Sequence, residues 1–470
     1  MLNKVIIVGA GLAGSLLAIY LAKRGIAVEV YEARGDMRLE EVAAGRSINL
    51  ALSNRGIAAL REVGMEEYIL AEAVPMFGRM VHAVDGQTRL LPYSGRQGEY
   101  INSVSRGGLN IALMNEADKF ENVSLFFNEK CEDFDCKSGE VRFSGGKIVK
   151  GGTLIATDGA GSTVRNAMLH GGVPRFNFSQ TWLEHGYKEL HIPPDDAGKF
   201  QMEKNALHIW ARRSFMMIAL PNFDGSFTCT LFLAHKGGNL SGGGFSNLNS
   251  KSENTLPTGH VSSSVANFED LSNEATLHRF FTTTFPDALP LMPTLTADFF
   301  TNPVGNLGTV KCFPWNAGGK ALLLGDSAHA LVPFYGQGMN CAFEDVRVLD
   351  SLVEKHGTDW ETIYKEYGEL RKVNTDAIAD MAEENFYEMR DAVADPVFVR
   401  KRELETKLEQ SYPDYFSKYS MVTFREDLPY SVAKAKGNAQ DRVLMEICSG
   451  VENIKELDLV EVMEMVSSPI

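Results

Sequence analysis

At 470 residues, 44% hydrophobic and 23% charged, the chain is long enough for two or three domains with large cores and has the balance of an ordinary water-soluble protein. Its formal net charge of −15 argues against a nucleic-acid partner, which needs clustered Lys and Arg, and requires any site for an anionic dinucleotide to be locally basic. Six cysteines (131, 136, 229, 312, 341 and 448) show neither metal spacing nor a disulfide framework, as expected of buried or idle thiols in a reducing cytosol, and no apolar run of about 18 residues is present to span a membrane.

The first predicted element is a short buried strand, Val5–Val8, which starts too early to leave room for a signal peptide. It runs into Gly9-Ala10-Gly11-Leu12-Ala13-Gly14, and Ser15 to Lys23 continues as an apolar-rich helix. Gly9 and Gly11 allow a tight turn and let the backbone approach a pyrophosphate. Gly14 lets the helix pack closely on the strand, and the helix N-terminus offers free N–H groups to the anion. A second strand, 27–31, ends at Glu32, placed where a carboxylate accepts hydrogen bonds from an adenosine ribose. Strand, turn, helix and acid in this order predict a dinucleotide-binding fold.

Further along, a strand-like run at 154–156 enters Asp158-Gly159-Ala160-Gly161-Ser162-Thr163-Val164-Arg165. Segments 206–210, 215–220 and 227–233 have the Thr, Phe, Ile and Leu content of an antiparallel sheet, expected to roof a ligand. Residues 237–264 are rich in Gly, Ser and Asn and read as a surface loop. A third run, 321–324, ends at Gly325-Asp326-Ser327-Ala328-His329 and continues through Pro333 to Gly336-Gln337-Gly338-Met339-Asn340. Singly, the second and third stretches read as turns that close strands. Together with the first they describe one polyphosphate cofactor long enough to need all three, most simply FAD. An NAD-dependent dehydrogenase needs only the first. Asp326 would accept bonds from ribityl hydroxyls, and a helix beginning near Gly338 would direct N–H groups at the negative N1 of a reduced flavin. From Asp345 onward Glu, Lys, Leu and Met recur at helical spacing, predicting helices packed over the site.

These three stretches are similar to the signatures of the class A, single-component flavoprotein aromatic hydroxylases. Five more segments narrow the likeness: Gly45-Arg46-Ser47-Ile48-Asn49-Leu50-Ala51-Leu52-Ser53, Gly78-Arg79-Met80-Val81-His82, His185-Gly186-Tyr187-Lys188-Glu189-Leu190, Asn205-Ala206-Leu207-His208-Ile209-Trp210 and Tyr419-Ser420-Met421-Val422-Thr423-Phe424 resemble the kynurenine 3-monooxygenase family, especially its soluble bacterial members. The resemblance covers most of the chain, thins over 237–264 and weakens after 430. It implies an α/β architecture: a Rossmann-like FAD-binding fold built from 1–75, 100–180 and 296–385, an inserted antiparallel-sheet substrate domain from 76–99 and 181–295, and a C-terminal helical region, 386–470, over the active site.

The resemblance also implies the chemistry. NADPH is the co-substrate that reduces FAD, and O2 gives a C4a-hydroperoxyflavin. Its terminal oxygen attacks the ring carbon ortho to the amino group of L-kynurenine, giving 3-hydroxy-L-kynurenine and water. No catalytic side chain and no metal are implied. By carry-over, Arg79 clamps the substrate carboxylate, since a forked guanidinium binds it bidentately. Tyr93, Asn385 and Tyr419 are its hydrogen-bonding partners, and Ile218, Leu220, Phe232, Pro333 and Phe334 surround the ring. Gly9, Gly11, Ala13, Gly14, Glu32, Arg34, Ala51, Arg106, Asp158, Asp326, Gly338 and Met339 hold the cofactor. On spacing alone Arg79 is a solvated loop residue, Tyr419 a core residue and Asn385 an ordinary helix residue.

Eukaryotic members carry a C-terminal membrane anchor. Here 457–470 is interrupted by Asp and Glu, so a soluble, cytoplasmic protein is expected. Tyr335 and the pair Gly107-Gly108 depart from the family pattern, the glycines in a way expected to loosen the following helix start. Two competing readings remain: a flavin hydroxylase for a phenolic acid such as salicylate, and a non-redox nucleotide fold like that of the prenylated-GTPase carriers, against which the complete Gly325-Asp326 segment argues.

Overall fold

Val5–Val8 is central to a five-stranded parallel sheet and is buried along its whole length. An unbroken apolar run suits a strand covered on both faces. In this computed structural model, which describes residues 4–39, 49–236, 266–391 and 395–467, the strand order is Ala321–Leu323, Thr153–Ala156, Val5–Val8, Val28–Tyr31, Val123–Phe126. Gly45 to Ile48 and the 237–264 stretch lie outside the described residues. The first three strands of that order are immediate neighbours: Val5 pairs with Thr153, and Leu154 with Ala321. The three glycine turns each follow one of these strands. Stretches that the sequence separates by 150 residues or so therefore meet along one sheet edge, the carboxyl end, where open α/β sheets bind ligands.

Helix Leu12–Lys23 buries nine of its twelve residues between sheet and neighbouring helices, which matches its nearly all-apolar sequence. It packs against helices Arg106–Ala117 and Gly338–His356. The start of Arg106–Ala117 is closed despite its glycines, because the Ser105 hydroxyl accepts a hydrogen bond from Gly108 N at 3.2 Å.

A seven-stranded sheet forms the second layer, in the order Gly305–Phe313, Asn177–Ile192, Phe227–Ala234, Met216–Pro221, Ala206–Ala211, Gly78–His82, Thr88–Pro92. It is antiparallel except for one parallel pairing, Ala206–Ala211 with Gly78–His82. Alternation along its strands sorts two cores. Ile209, Met216 and Phe232 face the C-terminal helices. Trp210, Met217 and Leu231 face away, against Phe281 and Phe285 of the Glu274–Thr284 region. A small sheet, Asn49–Leu52 with Ile101–Ser105 and Val74–Met76, bridges the layers.

Helices Gly338–His356, Trp360–Asp391, Pro396–Ser411, Lys418–Phe424 and Tyr430–Ser449 close over the open side. Among the described residues no helix is long and apolar enough to cross a membrane. The six cysteines are unpaired; five are buried and Cys136 is half-buried.

Candidate functional site

A cavity of about 920 Å³ lies between the carboxyl edge of the parallel sheet and the seven-stranded sheet. That volume is at the upper end of what small-molecule sites offer.

One end is built from backbone. Gly9 has φ +102°, and a Cβ there would sit 2.6 Å from Thr157 O. At Gly14 a Cβ would fall 2.0 Å from Gly9 O, so this glycine seats the helix on the turn. Gly11, Gly159, Gly161 and Gly338 differ in kind. A Cβ on any of them would meet nothing within 4 Å, and all four line the cavity, so bare backbone faces the space a ligand would take. Leu12, Ala13 and Gly338 begin helices whose first N–H groups have no intrahelical partner.

Glu32 stands beside this turn. Its Oε2 accepts from Ala10 N at 2.9 Å, and its Oε1 accepts from Arg34 N at 3.0 Å and Arg34 Nε at 2.7 Å. Burial alone would raise its carboxyl, but these bonds hold it below the ordinary range, so it is ionised. Asp158 closes the next helix: its Oδ2 accepts from Thr163 N at 2.8 Å and Val164 N at 3.3 Å. Its Oδ1 is buried with no hydrogen-bond partner, and burial raises the carboxyl. An orphaned acceptor on a cavity wall suits a ligand carrying donors.

The middle of the cavity is organised around Asp326 and Asn340. Gly325 adopts φ +64°, which turns the chain so that Asp326 projects into the space, where its surroundings raise its carboxyl. The charge of Arg106, on the same cavity wall, partly offsets that rise. Asn340 is fully buried and ties three segments together. Its Nδ2 donates to Ala51 O and Gly336 O, both at 2.8 Å, and its Oδ1 accepts from Ser53 N at 2.9 Å. Behind them Asp345 accepts from His329 Nε2 at 2.6 Å, Arg371 Nε at 2.7 Å and Gly325 N at 3.3 Å. His329, Cys341 and Asp345 place three potential metal ligands within 4.8 Å of one another, but Asp345 is already committed to the Arg371 guanidinium, which repels a cation.

The far end is built from side chains. Arg79, from strand Gly78–His82, is nearly buried; its Nη1 lies 3.5 Å from Glu388 Oε1, and its Nε has no hydrogen-bond partner. Tyr93 and Tyr419 stack with ring centroids 5.1 Å apart, and Tyr335 also stacks with Tyr419, at 5.6 Å. The Arg79 guanidinium lies over the Tyr419 ring at 5.1 Å. Burial pushes all three phenols upward, so they remain O–H donors. Ile218, Leu220, Phe232, Pro333 and Phe334 complete an apolar wall, Phe232 packing on Phe334 at 4.9 Å.

Of the residues named from the sequence, Gly9, Gly11, Ala13, Glu32, Arg34, Ala51, Arg106, Asp158, Asp326, Gly338 and Met339 line one stretch of the cavity. Arg79, Tyr93, Tyr419, Ile218, Leu220, Phe232, Pro333 and Phe334 line the other. Gly14 is in the packing beneath the turn. Asn385 is behind the wall: its Nδ2 donates to Phe334 O at 2.6 Å, which fixes the Pro333–Tyr335 turn. Sequence reasoning marked Tyr335 only as a departure from the family pattern and did not single out Leu207, Asn340, Glu388 and Met389. Asn340 carried a usable signal, since a buried amide just after a glycine-rich helix start has backbone groups to satisfy. Nothing local marked the others.

Comparison with known proteins agrees with this geometry. The chain matches the FAD binding domain family over residues 3–213 and 301–381. It is 44% identical to kynurenine 3-monooxygenase of Myxococcus xanthus (strain DK1622), covering 99% of this chain and 95% of that protein. The kynurenine 3-monooxygenase of Dictyostelium discoideum is 42% identical over 98% of this chain and 97% of its own length. Among solved structures, 2-methyl-3-hydroxypyridine-5-carboxylic acid oxygenase superposes with a TM-score of 0.64 at 18% identity, over 89% of this chain and 95% of that one. Glycine-lined backbone at one end, an arginine–tyrosine cluster at the other and relatives of this identity over nearly the whole length place the chain in the kynurenine 3-monooxygenase family of FAD-dependent monooxygenases.

Proposed function

We propose that this protein hydroxylates L-kynurenine to 3-hydroxy-L-kynurenine, with FAD as cofactor and NADPH and O2 as co-substrates. One observation carries the reading: a single cavity joins the glycine-lined edge of the parallel sheet to the Arg79–Tyr93–Tyr419 cluster. A cofactor lying along the first part would present its reactive ring to whatever the cluster holds.

FAD would lie with its pyrophosphate on the bare backbone of Gly11 and the N-terminus of Leu12–Lys23, its adenosine ribose at Glu32 and its ribityl chain at Asp326. When bound it supplies oxygen activation, using electrons from NADPH. The protein's own residues do the rest. Arg79 binds the substrate carboxylate, and its partnerless Nε supports that assignment. Tyr93 and Tyr419 donate O–H groups to the same carboxylate. Glu388, held next to Arg79, gives the clamp an anionic member for the substrate's ammonium, so the pair suits an amino-acid head better than a simple acid. Phe232, Phe334, Ile218 and Leu220 orient the aniline ring and exclude water. Asn385 acts through Phe334 by holding its carbonyl. In the same reading 1–75, 100–180 and 296–385 carry the cofactor, 76–99 and 181–295 carry the substrate face, and 386–470 covers it.

Purified protein with bound flavin, mixed with NADPH under air, tests the proposal. Kynurenine should accelerate NADPH oxidation and yield 3-hydroxykynurenine by chromatography. Rapid turnover of salicylate with none of kynurenine overturns the substrate assignment, and a colourless protein that takes up no added FAD overturns the cofactor assignment.

A further inference from the structure

Trp182 belongs to no part of the clamp or of the cofactor turns, yet it lines the same cavity. It sits on Asn177–Ile192, in a portion of that strand paired only with Gly305–Phe313. Residues 179–182 are exposed one after another, so both faces of this arm meet solvent and Trp182 stands where the cavity opens. The indole itself is 58% exposed.

Its cross-strand partner is Gly308. A Cβ at Gly308 would fall 2.7 Å from Trp182 Cε3 and 2.8 Å from Cζ3, so the benzo part of the indole packs against glycine backbone with no room for a side chain between them. The ring is thus held against the neighbouring strand, and the strand register breaks directly after it, between Trp182 and Gly186. Such irregularities re-aim side chains at the rims of sheets. Gln180 and Asn306 line the cavity beside it and offer amide groups at the edge of the platform. A large aromatic left open at a cavity mouth, backed by a residue that clears space for it, is suited to stacking a planar ring.

We propose that Trp182 is the stacking platform for the nicotinamide ring of NADPH as it enters to meet the flavin, with Gln180 and Asn306 flanking the carboxamide. This rests on the reading of the protein as an NADPH-dependent flavin enzyme. Nicotinamide and isoalloxazine are both planar, electron-poor heteroaromatics, and the mouth position favours the ring that comes and goes over the one that stays.

The test is calorimetric binding of NADP+ and of 2′,5′-ADP, which lacks the nicotinamide, to flavin-loaded wild type, Trp182→Ala and Trp182→Phe. NADP+ should bind about tenfold more weakly to Trp182→Ala, Trp182→Phe should recover most of the loss, and 2′,5′-ADP should bind all three alike. Flavin content, flavin absorbance and the KM for kynurenine should not change. Equal NADP+ binding by wild type and Trp182→Ala overturns the inference while leaving the enzyme assignment intact. An altered flavin spectrum with unchanged NADP+ binding also overturns it and gives the platform to the flavin. A wild-type flavoprotein that NADPH does not reduce at all sinks the underlying enzyme reading instead.

Discussion

The two ends of the cavity are built by different means. At the glycine-lined end, proposed for the cofactor, the surface is largely main chain: four glycines with nothing in front of them, two helix starts and a turn at φ +102°, with Glu32 and Asp326 beside them. At the other end, proposed for the substrate, it is side chains, brought together from strand Gly78–His82, from Tyr93, from the Pro333–Tyr335 turn and from helix Lys418–Phe424. A backbone site depends on which residues have no side chain. A side-chain site depends on where distant elements come to rest. The first should therefore fail by steric occlusion, and the second by loss of individual polar or ring contacts.

The contrast is sharpest within the first glycine turn, where the largest effects are expected. Gly14→Ala drives a Cβ against Gly9 O at 2.0 Å, with Thr157 Oγ1 at 2.5 Å; neither the turn nor the packed helix has room to yield. It should destabilise the protein by about 3 kcal/mol or more and abolish flavin uptake. Gly11→Ala adds the same methyl to extended backbone, φ −72° and ψ −176°, with open space ahead. The apoprotein should melt within a degree or two of wild type, while FAD binding weakens tenfold or more, roughly 1.4 kcal/mol. Thermal melts and flavin titrations on both variants check this. Equal loss of Tm in the two would mean that Gly11 is a packing glycine and that the backbone-cradle account is wrong.

At the other end Arg79→Ala is the matching lesion. Truncating a buried, charged hydrogen-bonding partner typically removes about 2–5 kcal/mol. The kynurenine KM should rise by about 1.5 to 3.5 orders of magnitude while flavin content stays at the wild-type level. Arg79→Lys should rescue little, because a point charge does not reproduce the fork. An unchanged KM and kcat in Arg79→Ala would remove the clamp from this region.

The same distinction explains what was legible in the sequence. Val5–Val8, the turn after it and Glu32 form one local pattern, and the strand boundaries expected at 154–156 and 206–210 fall within one residue of those observed. That the three glycine stretches share one sheet edge was inferable only from the length of the ligand they imply; the adjacency itself is a matter of strand order. Nothing in the neighbourhood of Tyr419 announces a meeting with Arg79, more than 300 residues away, and only likeness to a family supplied it; Glu388 carried no signal of either kind. Asn385 shows the limit of such a carry-over: the family implies a hydrogen-bonding partner of the substrate, but the residue lies behind the cavity wall and its amide donates to Phe334 O.

Behind the side-chain end is a buried polar chain separate from the His329–Asp345–Arg371 group. His82 Nδ1 meets Asp287 Oδ2 at 2.6 Å, His82 Nε2 meets His208 Nδ1 at 2.8 Å, and His208 Nε2 meets Glu203 O at 2.7 Å. Trp210 Nε1 donates to Asp287 as well. Burial pushes His208 down to about 4 from 6.5. The unfolded chain therefore binds a proton that the folded protein refuses, and stability is fully present above pH 6.5 and lost as pH falls toward 4. The loss amounts to up to about 3 kcal/mol at the acid end. Melting temperature should decline across this window, and His208→Gln, though less stable at neutral pH, should show a shallower decline. Identical slopes for the two proteins would assign the acid sensitivity elsewhere.

The smallest expected effect falls on Tyr335, and it tests where the side-chain site ends. Its ring is buried and stacks on Tyr419 at 5.6 Å with planes 16° apart, so its contribution should come from packing. Tyr335→Phe keeps the ring and should leave the kynurenine KM within about twofold of wild type. Tyr335→Ala removes the stacking partner and opens the wall beside Tyr419, so KM should rise several-fold, roughly 1 kcal/mol. More of the NADPH consumed should then appear as hydrogen peroxide instead of product, because water gains access to the site. The ratio of product to NADPH consumed separates this wall function from a loss of affinity alone. If Tyr335→Phe raises KM as far as Arg79→Ala does, the hydroxyl binds substrate directly, and the clamp extends from strand Gly78–His82 across Tyr419 to the Pro333–Tyr335 turn.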